Sequence, residues 1–194
     1  HRVKQPWARD PAFYVWFYPY PTDVPEREGP NIFGAVELPR YKQPLSAEDD
    51  AEITARFKKA PAVFETAKAN LTGNGKDLWV LGARSIREQS GEFEKFSEQT
   101  KGSYPALAAA ALEAKVASDQ LAQWLDEQAP SKNGPSGVGK ENYTWNLKKV
   151  HLIPYSWEDE VLLMERELMR SHSALRFEEH QNRNLPKLEK ADNP

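Results

Sequence analysis

The run GPSGVGK, from Gly134 to Lys140, is the first place to test for chemistry. Its spacing matches a phosphate-cradling loop: a glycine, four residues, then Gly-Lys. Such a loop also needs a Ser or Thr hydroxyl after the lysine to hold magnesium, and Glu141 stands there instead. A strand should precede it, whereas the residues before it carry a helical period. The plainer reading is a helix entry made flexible by glycine. Its backbone amides would face solvent or a cleft, where they could hold a carboxylate or another anion.

Metal and acid–base chemistry find less to work with. The four histidines are His1, His151, His172 and His180. There is no HExxH pair, and the inverted HxxEH form fails because Arg176 occupies the place of its first histidine. On a helix, His172 and His180 would point roughly 80° apart. A metal centre built wholly within this chain is therefore not expected. The carboxylate pairs Asp49–Asp50 and Glu178–Glu179 are adjacent, so each pair is split between helix faces. No Gly-x-Ser-x-Gly elbow occurs. The triplets Asn70-Leu71-Thr72 and Asn142-Tyr143-Thr144 fit a glycosylation acceptor but are frequent by chance, and neither receives a role.

The elements that would position these residues read as helices. Ser46 begins the first as a cap, with Asp49 three residues on as the reciprocal partner. Ile53, Phe57, Ala60, Phe64 and Ala67 make one face, and Pro61 predicts a break near Lys59–Ala60. A second helix is expected from about Asp77 to Thr100, weakened at Ser90–Gly91. A third is expected from about Tyr104 to Gln128, with a run of four alanines at 108–111 that allows close packing. A short helix should span about Lys140 to Lys149. The last should start at the cap Ser156, carry Val161, Met164, Leu168, His172 and Leu175 on one face, and end before Pro186.

Residues 1–45 differ from the rest. They hold many of the 15 prolines and a dense aromatic run from Phe13 to Tyr20. Proline blocks long regular structure. We expect an extended arm whose aromatics dock on a helical body, or else an aromatic wall that binds a ligand; FYVWFY could also form a short strand. The expected architecture is all-α: an antiparallel helical bundle preceded by this extended proline- and aromatic-rich arm. The boundaries would be 1–45 for the arm, 46–186 for the helical domain and 187–194 for a tail.

Composition narrows the function classes. The 194 residues include 26 basic and 29 acidic side chains, for a net charge of −3. No basic stripe favours nucleic acid. Mean hydropathy is −0.76, and no apolar run reaches the ~18 residues of a spanning helix. Cysteine is absent, which excludes disulfides and thiolate ligands. The chain opens on His1 rather than Met, so we expect an upstream segment, such as a signal peptide or lipid anchor, to have been removed.

The run ANLTG, then SGVGKENYTWNLKKVHLIPYSWEDEVLLMERELMR, then FEEHQNRNLP, resembles the bacterial family known as domain of unknown function 885. The resemblance runs from about Ala47 to Pro186 and is strongest from Gly137 onward. It implies a largely helical protein, longer than this chain, often a lipoprotein or exported to the periplasm. It also implies a zinc metallopeptidase of the HExxH type, whose metal helix follows the region matched here. This chain would then be the N-terminal helical part, shaping a substrate cleft without supplying the metal. No cofactor is expected within the chain, and zinc only in the full-length protein. The partners implied are the remainder of the same polypeptide or a second copy, and a peptide substrate. Gly139, Lys140, Tyr143 and Trp145 are the candidates for the cleft wall. Lys140 would pair with a substrate carboxylate, and Tyr143 would donate to a substrate carbonyl. The alternative is a self-contained helical module that binds a protein or peptide without catalysis.

Overall fold

A computed structural model describes residues 5–21 and 34–186 of the chain. The fold is mostly helical, with a single two-stranded sheet among the described residues. It divides into two compact units, His1–Gly137 and Val138–Pro194. The division falls inside the 46–186 span expected to form one helical domain. Tyr14, Trp16 and Phe17 are buried in the same unit as the helices on which they pack. The tail 187–194 lies outside the described residues.

In the first unit, α1 (Pro6–Arg9) leads through a 3-10 turn at Pro11–Tyr14 to β1 (Phe17–Tyr18), which pairs in parallel with β2 (Val36–Glu37). The helices α2 (Ala47–Phe57), α3 (Ala60–Asn70), α4 (Lys76–Thr100) and α5 (Pro105–Gln128) follow. Ser46 caps α2 in a reciprocal box with Asp49. Pro61 sits in the first turn of α3, where its missing N–H costs nothing, and the chain turns between α2 and α3 as its position predicts.

α4 and α5 form the centre of this unit. Ser97 reaches the Ala108 carbonyl, Gln89 reaches Ser118, and Arg87 pairs with Asp126. Partners that climb one helix descend the other, so the two run antiparallel. Ala110, Ala111, Ala114 and Ala117 are buried and carry little bulk. α4 continues unbroken through Ser90 and Gly91, where a weakness was expected. Ser90 is buried and donates to Asp119 of α5, a contact that offsets its poor helix propensity.

Residues of the N-terminal segment complete the core. Phe17 stacks on Phe93 and meets Phe57 edge-on, with ring centroids 5.2 Å apart in each pair. Its backbone N–H and that of Trp16 both donate to the side-chain oxygen of Gln89. Trp16 Nε1 donates to the Arg56 carbonyl at 3.0 Å. Pro11 packs against Gly82 so closely that a Cβ there would lie 2.6 Å from the ring. Tyr14 donates to the Trp7 carbonyl at 2.8 Å and accepts from Asn70 at 3.2 Å. Burial, opposed by the Asn70 hydrogen bond, raises the pKa of its phenol.

The second unit holds α6 (Lys140–Lys149) and α7 (Trp157–Gln181). Leu147 of α6 is buried. In the connection, the Ile153 N–H donates to the Leu147 carbonyl at 3.0 Å. Ser156 caps α7 in a reciprocal box with Asp159. The capping hydrogen bonds from the Ser156 N–H and hydroxyl hold the pKa of the Asp159 carboxyl below its ordinary value.

Candidate functional site

The predicted cleft residues lie at the start of α6. Gly139 precedes the helix with φ 85° and ψ 154°, a conformation open to glycine and strained for other residues. A Cβ built on it would meet nothing within 4 Å, so the requirement comes from the backbone and not from space. The Gly139 carbonyl accepts from the Tyr143 N–H at 2.9 Å, closing the first turn. No side chain caps this end of α6. The nearby Asn142 amide instead donates to the Val138 carbonyl at 2.9 Å. A helix start of this kind presents partial positive charge.

Lys140 and Tyr143 share a platform that the sequence reading missed. The Trp157 ring at the start of α7 meets Tyr143 edge-on, with centroids 5.5 Å apart and planes at 87°. The Lys140 ammonium lies 5.7 Å from the centroid of the same ring. That is within cation–π range, and at an exposed lysine such a contact contributes about 0.5–1 kcal/mol. Thr144 fixes the arrangement by accepting the Trp157 backbone N–H at 3.0 Å. The signal available beforehand was the Ser156–Trp157 pair at a helix start. It read as a cap followed by an ordinary first-turn residue. Only the fold of the α6–α7 connection reveals that the indole faces back onto α6.

Trp145, two residues beyond Tyr143, stands roughly 200° further round α6. The geometry unites Lys140, Tyr143 and Thr144 with Trp157, beside Gly139 at the helix start. Chemically, the cluster offers one cation, one phenol and an uncapped helix start. It can bind and orient an anionic or carbonyl-bearing group. It holds no paired general acid and base.

Among the described residues, no three His, Asp or Glu side chains gather where they could hold a metal ion. His151 is exposed beyond the end of α6, while His172 and His180 are exposed on α7. These residues do not fit a zinc centre, and no catalytic step through zinc follows from them.

A concavity of about 470 Å³ lies in the first unit. Tyr18, Pro19 and Tyr20 face Ser85, Glu88 and Glu92 of α4 across it. The aromatic run is thus divided by depth. Tyr14, Trp16 and Phe17 are buried, while Tyr20 is exposed at the groove. Glu88 pairs with Arg84, and Glu92 with Lys95. Both acids are already neutralised within α4.

Compared with known proteins, the chain matches no family model, no curated protein and no solved structure. Among the described residues, no helix is long and apolar enough to cross a membrane.

Proposed function

We propose that this chain is the N-terminal helical part of a larger metallopeptidase-like protein, shaping one wall of its substrate cleft. The observation that carries the reading is α7. This 25-residue helix buries none of its residues. Leu162, Met164, Leu168, Met169, Leu175 and Phe177 are all exposed along it. A helix with this many open apolar side chains is stabilised by packing, so they are surfaces built to be covered. The remainder of the polypeptide is the natural cover. On this reading the helices form an antiparallel bundle completed by the N-terminal arm. Lys140 and Tyr143, held by Trp157, receive the carboxylate or carbonyl of a peptide, and zinc is bound further along the polypeptide.

The test is the reading frame that contains the chain. It should continue beyond Pro194 into a helix carrying HExxH, and the longer protein should cleave peptides in a chelator-sensitive way. In that protein, Lys140→Ala and Tyr143→Phe should raise KM more than they lower kcat, as expected for groups that bind rather than react. A frame that closes without such a helix refutes the reading.

One observation favours a second reading, that of a self-contained module binding a protein or peptide. The first unit has its own aromatic core, in which Phe17 meets Phe57, Phe93 and Phe96. Deleting residues 1–45 should then cost several kcal/mol in a cooperative unfolding transition. An unchanged transition removes this reading.

A further inference from the structure

The apolar stripe of α7 also carries information about what covers it. Val161, Met164, Leu168 and Leu175 lie three, four and seven residues apart, the spacing of a helix–helix seam in which Ser171 and His172 fill the last gap. At 100° per residue they fall within a sector of roughly 60°. Met164, Leu168 and Leu175 are 70%, 57% and 56% exposed. The flanks of the stripe are acidic. Glu158 and Glu165 stand on one side and Glu160 and Glu167 on the other, each roughly 70–90° from its centre. These are the positions that face a partner's own flanking residues across a two-helix seam. Among the described residues, Glu158, Glu160 and Glu165 make no ion pair, while Glu167 is held by Arg170 at 2.9 Å. The cations Arg166 and Arg170 lie toward the back of the helix; Arg176 stands on a flank, beyond the first three turns.

We propose that this face of α7 docks an amphipathic helix whose apolar seam is flanked by Lys or Arg. Charge complementarity selects this occupant over a second copy of the chain. A parallel copy would set Glu160 of one helix beside Glu165 of the other, carboxylate against carboxylate. An antiparallel copy would bring Glu179, which lies on the stripe line itself, against the Trp157–Val161 turn, whose own Glu158 and Glu160 repel it. An anionic membrane surface meets the same repulsion from the flanks. The inference rests on the reading that another helix covers α7, and it adds the chemistry of that helix.

The experiment uses the full 194-residue chain and two synthetic helical peptides with the same leucine seam, one flanked by lysine and one by glutamate. Binding is followed by fluorescence anisotropy. The lysine-flanked peptide should bind at least about tenfold more tightly, and the advantage should shrink as salt is raised. Leu168→Glu, at an exposed position that does not threaten folding, should abolish binding. The double variant Glu160→Lys with Glu165→Lys should transfer the preference to the glutamate-flanked peptide. Equal binding of the two peptides, binding of neither, or tighter binding to phosphatidylglycerol vesicles overturns the proposal. So does a dimer in sedimentation that Leu168→Glu dissociates. Each of these outcomes leaves the reading-frame test of the metallopeptidase reading untouched.

Discussion

Replacing Gln89 with leucine should undock the N-terminal segment from α4. Gln89 is 3% exposed. Its side-chain oxygen accepts the backbone N–H groups of Trp16 and Phe17, and its nitrogen donates to Ser118 at 3.0 Å. Leucine fills nearly the same volume, so little of the effect comes from a cavity. What it removes is the acceptor for two backbone donors on residues that are themselves buried. Each buried donor left without a partner costs about 1–3 kcal/mol. The Ser118 hydroxyl can turn to a carbonyl of its own helix at little cost. The expected loss is therefore about 2–6 kcal/mol, the lower end applying if the segment lifts and lets water reach the amides. Urea unfolding gives the total. Hydrogen exchange gives the location, since the Trp16 and Phe17 amides should lose protection well before those of Phe93 and Leu121. Gln89→Glu keeps an acceptor oxygen but buries an acid, so it should destabilise less at low pH than at neutral pH. A Leu variant with an unchanged midpoint and intact Trp16 and Phe17 protection would refute the claim that this side chain fastens the segment.

Three further outcomes follow from local geometry. Gly91→Ala should stabilise the first unit by about 0.5–1 kcal/mol, because Gly91 is mid-helix and an added Cβ meets nothing within 4 Å; a lower melting temperature would contradict this. Gly139→Ala should cost about 1–3 kcal/mol through its positive φ alone; it should show as lost exchange protection in the first turn of α6, and unchanged protection there would count against the strain. The depressed folded pKa of Asp159 means that its contribution is complete above the ordinary carboxylate value of 3.8 and is lost as pH falls through the lower folded value. Its carboxyl should therefore titrate by NMR below that value, and Ser156→Ala should return it there; a midpoint at or above the ordinary value would remove the capping argument.

Much of the fold was legible along the chain because helices obey local rules. The reciprocal cap at Ser46 requires only a hydroxyl and a carboxylate three residues apart, and the cap at Ser156 was legible as well, its reciprocal partner Asp159 appearing only in the fold. The expected helices of about Asp77–Thr100 and Tyr104–Gln128 correspond to α4 and α5 within a residue at each end. The short helix at Lys140–Lys149 has those bounds. Ser90–Gly91 misled, because the contact that steadies it belongs to α5. The candidate site was legible in part. Gly139, Lys140 and Tyr143 fall together because helical spacing places them so. Trp157 was hidden, since no periodicity spans a loop.

The sequence by itself therefore determined the class of structure, the helix limits and the apolar stripes, for these depend on neighbours a few residues away. Tertiary structure alone decided three other matters. It placed Gln89 beneath the amides of Trp16 and Phe17, it turned Trp157 back onto Lys140 and Tyr143, and it left the stripe of α7 open while burying those of α4 and α5. Each joins groups far apart along the chain, or depends on which surface meets which. Burial is a property of the assembled fold, and a hydrophobic period can state only that a face should be covered.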